Sequence, residues 1–127
     1  MLRLAAAVAL IGAAPAAAQE GRVAVLQGLD KVTARTSTFD APVGRPVSFG
    51  TLRIVSRHCR KRPPEEPPET TAFLEIAEIR RDGPATELFS GWMFASSPAL
   101  SSLEHPIYDV WVVDCRTAST SEGATSR

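Results

Sequence analysis

Cys59 and Cys115 are the only two cysteines in the chain, so any intramolecular pairing has one connectivity. That pairing ties the middle of the sequence to its last apolar segment. One pair excludes a four-thiolate zinc site and the disulfide-dense mini-proteins. Whether the thiols are oxidised depends on the compartment, and the N-terminus addresses that. Met1-Leu2-Arg3 is a short positive start, Leu4–Ala14 is apolar, and Ala16-Ala17-Ala18 offers small side chains ahead of Gln19. This is the three-part layout of a secretory signal peptide, cut after Ala18. The uncharged run to Ala18 is shorter than the roughly 20 residues a spanning helix needs. The other reading, a buried Ala-rich helix, has to carry Pro15 and gains little from burying alanines. No cysteine follows the run to take a lipid anchor, and no later stretch is apolar enough to span a membrane. The expectation is a signal peptide over 1–18 and an exported, soluble product, periplasmic or secreted. In an oxidising compartment Cys59 and Cys115 then form a disulfide. Its long loop contributes roughly 4 kcal/mol in the chain-entropy model. A redox-active thiol would call for Cys-x-x-Cys spacing, which is absent.

The mature chain has no internal repeat and no sustained helical period. Gly21–Gln27 reads as a short strand. Lys31–Phe39 alternates, with Val32, Ala34 and Thr36 on one side and Lys31, Thr33, Arg35 and Ser37 on the other, the period of a half-buried strand. Ala41-Pro42-Val43-Gly44 is a turn, and Val47–Phe49 and Thr51–Cys59 are β-rich. Lys61–Glu69 holds four prolines in nine residues, which predicts an extended, polyproline-like surface loop. Thr71–Arg80 and Ala85–Ala95 flank Asp82-Gly83-Pro84 as a hairpin. Ser96–His105 is turn-rich, with a short helical turn started by Ser97 and Pro98. Ile107–Cys115 is a last strand, and 117–127 is a frayed polar tail. The fold class is all-β: one domain over 19–116, a small antiparallel sandwich or barrel of six or seven strands with one disulfide. A true immunoglobulin domain is disfavoured, because Trp92 lies far beyond the first cysteine and Val113 stands where a tyrosine belongs.

Several strings together carry a resemblance: Gly28-Leu29-Asp30-Lys31-Val32-Thr33, Cys59 ahead of Arg62-Pro63-Pro64, Phe89–Leu100 (Phe-Ser-Gly-Trp-Met-Phe-Ala-Ser-Ser-Pro-Ala-Leu), Leu103-Glu104-His105-Pro106, and Tyr108-Asp109-Val110-Trp111. Over Leu26–Cys115 the chain resembles a family of small exported bacterial proteins known only as a domain of unknown function. The resemblance implies a cell-envelope location and a single domain; the family carries no assigned catalytic residues or cofactor, so it adds nothing to the chemistry.

Few residues assemble into chemistry. Ser97, His105 and Asp109 supply the types of a Ser-His-Asp triad, without a Gly-x-Ser-x-Gly elbow. Ser97 reads equally as a cap and His105 as a turn residue before Pro106. Glu75 and Glu78 are an odd count apart and so face opposite sides of a strand. His58, His105 and the cysteines lack metal-ligand spacing, and pairing the thiols removes two ligands. Glycine-rich phosphate loops are absent, so neither a metal nor a cofactor is implied. The 14 basic and 14 acidic side chains balance, which removes the pull on phosphates that nucleic-acid binders use.

Two clusters stand out. Arg53, Arg57, Arg60, Lys61 and Arg62 place five fixed charges within ten residues, beside His58 and ahead of Glu65-Glu66 and Glu69. They read as a solvated strand end or as a docking patch. In the second case Arg57, Arg60, Lys61 and Arg62, with the proline loop, contact an acidic envelope protein or an anionic envelope polymer. Phe89, Trp92, Phe94, Tyr108 and Trp111 read as a core built around the disulfide, with Trp111, Val113 and Cys115 on one side of the last strand. The other reading is an exposed aromatic platform for a glycan or protein. The expected function is a non-catalytic binding or accessory module of the cell envelope. The alternative is a small periplasmic hydrolase using Ser97, His105 and Asp109.

Overall fold

A computed structural model describes residues 22–117. The expected signal peptide and cleavage site, and the expected polar tail beyond Thr117, lie outside the described residues. Eight strands follow in order: β1 (Arg22–Asp30), β2 (Arg35–Pro42), β3 (Val47–Phe49), β4 (Leu52–Lys61), β5 (Thr70–Glu78), β6 (Thr86–Phe94), β7 (Leu103–Glu104) and β8 (Tyr108–Thr117). They form two antiparallel four-stranded sheets, ordered β2-β1-β8-β7 and β3-β4-β5-β6. The architecture is a sandwich, not a barrel, and no described residue is helical. No helix there is long and apolar enough to cross a membrane.

Alternation builds the core. Ala24 and Leu26 of β1, Ile54 of β4, Ala72, Leu74 and Ile76 of β5, Met93 of β6, and Val110 and Val112 of β8 are all buried between the sheets. At roughly 25 cal/mol per Å² of apolar surface, this shared interior is what holds the two layers face to face. The Cys59–Cys115 disulfide crosses it, joining β4 of one sheet to β8 of the other.

Both cysteines reach the interior because of bulges. In β4, Ser56 pairs with Leu74 and His58 with Phe73, so Arg57 is an extra residue. In β8, Val112 pairs with Leu26 and Asp114 with Val25, so Val113 is extra. Each bulge resets the alternation. Trp111 therefore faces the outside of its sheet while Cys115 faces in, which corrects the expectation that the two share a side.

Three further expectations change. Lys31–Ala34 is a turn, and β2 begins only at Arg35. Asp30 Oδ1 accepts hydrogen bonds from the Val32 and Thr33 amides (2.9 and 3.2 Å), and Ala34 takes φ +61°, so local side-chain chemistry overrides the alternation. The proline loop is a closed hairpin connection rather than an extended segment. The Glu66 amide donates to the Pro63 carbonyl and the Arg62 amide to the Glu69 carbonyl, each at 3.0 Å, with Pro64 in the turn position its ring favours. Ser97 starts no helix; its carbonyl accepts one turn-closing bond from the Leu100 amide at 3.0 Å.

Candidate functional site

The outer face of the β3-β4-β5-β6 sheet gathers the two clusters that the sequence keeps apart. On β4 the bulge at Arg57 puts Arg53, Val55, His58 and Arg60 on the side away from the core. Their register partners on β5 are Ala77, Glu75, Phe73 and Thr71. On β6, Trp92 sits beside Phe73 and Phe94 beside Thr71. His58, Phe73 and Trp92 thus form one row across the sheet. The Trp92 ring meets His58 at 5.2 Å and Phe73 at 5.3 Å between centroids, both edge to face. Trp92 is 44% exposed. Its presence here, with Phe94, corrects their assignment to the core. Only Phe89 and Tyr108 of the five expected core rings pack against the interior, and Trp111 covers the outside of the other sheet.

The four basic residues expected to act together are split. Arg57 Nε pairs with Glu75 Oε1 at 2.9 Å on the outer face. Lys61 turns over the end of the sandwich and pairs with Asp114 at 2.9 Å. Arg62 Nε lies 3.9 Å from Glu66 within the loop. Among the described residues, Arg53 and Arg60 form no ion pair. Arg60, Arg62, Glu66, Glu69, Thr71 and Phe94 line a cleft of about 330 Å³ where the outer face meets the proline loop. A depression of about 320 Å³ lies further along the face, lined in part by Arg53, Arg57, Glu75 and Glu87.

On the other flank of the loop is a larger cavity, about 690 Å³, lined among others by Pro63, Pro64, Pro68, Ala95 and Val113 and by Lys61 and Asp114. Glu69 fixes the loop there. Its carboxylate accepts from the Thr70 amide (3.0 Å), the Ser96 amide (3.0 Å) and Ser96 Oγ (2.6 Å). The Ser96 hydroxyl bond, more than any other contact, holds the Glu69 carboxyl below its ordinary pKa of 4.5.

Ser97, His105 and Asp109 do not come together. Ser97 follows Ser96 at the proline-loop end, beside Glu69 and Thr70. His105 sits at the opposite end of β5, its Nε2 3.3 Å from Glu78 Oε1. A nine-residue strand separates those ends, roughly 25 Å at 3.3 Å per residue. The other imidazole nitrogen, Nδ1, accepts from the Ile107 amide at 3.0 Å. Asp109 faces Lys31 Nζ at 2.9 Å, and that ammonium also donates to the His105 carbonyl at 2.8 Å. His105 and Asp109 each have a structural partner, and Ser97 is bonded through its backbone in a turn. Glu78 points to the core side of β5 and Glu75 to the outside, as their odd spacing requires. The His105 hydrogen bond is the main cause that lowers the Glu78 pKa, and Thr51 Oγ1 adds a second at 3.1 Å. Among the described residues no three His, Cys, Asp or Glu side chains lie close enough to hold a metal ion.

Phe73 was the missed residue. A phenylalanine on the polar side of an otherwise alternating strand (Thr71, Phe73, Glu75) is a readable signal for an outer-face ring. The Glu69–Ser96 latch and the Glu78–His105 contact join distant segments and leave no local trace.

Comparison with known proteins gives two matches. An uncharacterized protein of Rickettsia prowazekii (strain Madrid E), RP359, is 34% identical over 87 residues, covering 68% of this chain and 56% of that relative. The chain therefore spans little more than half the length of that relative. No solved structure matches. The family model described as "Uncharacterized protein conserved in bacteria (DUF2155)" matches residues 24–115, the whole of the sandwich from β1 to the second cysteine, and the chain belongs to that family.

Proposed function

We propose that this protein is a non-catalytic module of the bacterial cell envelope, exported by cleavage after Ala18 and acting in the periplasm or outside the cell. It binds an envelope protein or an anionic envelope polymer through the outer face of β4–β6 and the adjoining corner of the proline loop. One observation carries this reading: basic and aromatic side chains from three strands converge on a surface the fold does not need covered. An exposed tryptophan bedded on Phe73 and His58, beside an arginine that forms no ion pair among the described residues, is a contact surface rather than a packing solution. Arg57 and Arg60 belong to that face, Arg62 to the cleft at its corner, and Lys61 to the cavity behind the loop. The disulfide is compatible with an oxidising compartment.

Crosslinking in intact envelopes tests the reading. Trp92→Ala combined with Arg57→Ser and Arg60→Ser should abolish the crosslinked species while the melting temperature stays nearly constant. The same crosslinks from the triple variant at the same salt would reduce the face to a solvated surface. Mass spectrometry of the exported product should begin at Gln19; a chain beginning at Met1 would refute export by cleavage.

A further inference from the structure

We infer that the ligand of this face is an acidic sugar chain, with a pyranose ring over Trp92 and a carboxylate or phosphate at Arg60. The inference rests on the reading of the outer face as the contact surface and narrows the partner to one chemistry. Peptides are recognised at a free sheet edge, in an apolar groove for a helix, or in an aromatic-lined groove for a proline-rich segment. The outer face of β4 and β5 offers none of these. β5 is hydrogen-bonded on both sides; the open backbone belongs to β6 and to β4 beyond Ile54, and it lies in the plane of the sheet, to the side of the face that Trp92 and Arg60 present. Among the described residues the relief of this face is a cleft at the proline-loop corner and a depression further along. What it presents is aromatic rings and guanidinium groups.

Those groups match two parts of an acidic sugar. The C–H face of a pyranose is weakly apolar and packs on an indole without needing a hydrogen-bond partner. The carboxylate takes the forked donors of an arginine in bidentate geometry. Trp92 is held in edge-to-face contact with both Phe73 and His58, so little side-chain freedom is lost when a sugar settles on it. Arg60 lies one outward row away, on the strand two over, which puts the two backbones roughly 12 Å apart at sheet spacings, a span that a disaccharide covers. Arg53 extends the same face in the other direction, so a longer chain runs about 20 Å from Arg60 along the strands. Glu75 is neutralised by Arg57. Carboxylates lie at both ends. Glu66 and Glu69 share the cleft with Arg60, but Arg62 lies 3.9 Å from Glu66 and the Glu69 carboxylate is taken up by Thr70 and Ser96. Glu87, at the Arg53 end, forms no ion pair among the described residues, which leaves Arg60 as the stronger position.

Affinity electrophoresis and calorimetry with polygalacturonate, dextran and poly-L-glutamate separate the outcomes. Polygalacturonate should bind, more weakly as salt rises, with dextran far weaker. Trp92→Ala and Arg60→Ser should each cost about tenfold or more in Kd. Melting curves of both variants check that the fold survives. Poly-L-glutamate binding as tightly as polygalacturonate, with Trp92→Ala neutral for both, would overturn the sugar inference in favour of an acidic protein. Failure of all three polymers to bind, with envelope crosslinks still lost in the triple variant, would also overturn it while leaving the contact face standing. Crosslinks that persist in that variant would overturn both.

Discussion

Replacing Cys59 and Cys115 together by alanine is the sharpest test of what holds the two sheets together. The cysteines are 56 residues apart and both are buried, at 0% and 2% exposure. Their bond is the covalent link between β4 and β8, and the loop it closes includes all of β5, β6 and β7. Without it the unfolded chain regains the freedom that closure removed, which for a loop of that length is worth roughly 4 kcal/mol. At about 4–8 °C per kcal/mol for a domain near 100 residues, the melting temperature should fall by roughly 15–30 °C. Melts followed by circular dichroism read this directly. Wild type unfolded and refolded under reductant supplies the control, because it keeps both sulfur atoms and lacks only the bond. If the constraint is the cause, reduced wild type and the double variant melt together. A double variant within about 5 °C of oxidised wild type would refute the loop-closure argument for this domain. Reduced wild type that melts with the oxidised protein, beside a much weaker alanine variant, would move the effect to packing.

Glu69 and Glu78 both titrate below their ordinary value of 4.5, so their contributions to stability are complete above that pH and are lost as pH falls through the depressed values. The melting temperature should therefore drop as pH falls below about 4.5, and Glu69→Gln with Glu78→Gln should flatten that limb in a pH series. Gly50 has φ +61° and lies against the Tyr108 ring, so Gly50→Ala meets both backbone strain and a clash and should cost about 2–4 kcal/mol in urea melts. Met93→Ala should cost about 2–5 kcal/mol, since Met93 is fully buried, whereas Trp92→Ala on the adjacent, outward position should move the midpoint far less. Arg57→Ser with Arg60→Ser should change stability by less than about 1 kcal/mol, because the Arg57–Glu75 pair is half exposed.

Strand content and the disulfide were legible in the sequence because both rest on local or unique features: alternating apolar residues, and two cysteines with one way to pair. Side assignment was legible only between irregularities. Counting by twos from Trp111 puts Cys115 on its side. The extra residue at Val113 reverses that, and nothing in Val-Val-Asp announces a bulge. The same effect at Arg57 decides that His58 and Arg60 face out and Cys59 faces in. Lys31–Ala34 failed differently. Val32 kept the strand period, but the Asp30 carboxylate bound the next amides and closed a turn, leaving Val32 75% exposed. The aromatic face was hidden for a third reason: it needs the β4–β5 and β5–β6 registers at once, and each is set by long-range pairing.

The strings that mark the family resemblance divide by what the fold does with them. Gly28 lets the Phe49 ring lie against the β1 backbone, since a Cβ there would stand 2.6 Å from two ring carbons. Phe49 stacks on Phe39 at 5.2 Å and meets Tyr108 edge-on at 5.4 Å, and Tyr108 stacks on His105 at 5.5 Å. Lys31 fastens Asp109 and the His105 carbonyl, and His105 reaches Glu78. Gly28, Asp30, Lys31, His105, Tyr108 and Asp109 are thus consumed in sealing one end of the sandwich. A triad drawn from two of them would have to dissolve that seal. In the Phe89–Leu100 string, Met93 fills the core and Ser96 latches the proline loop through Glu69, but the Trp92 side chain turns away from both. Burial does not explain an indole held open between His58 and Phe73. That half-exposed indole, set among two other rings and next to arginines, is the feature on which the proposed contact face rests.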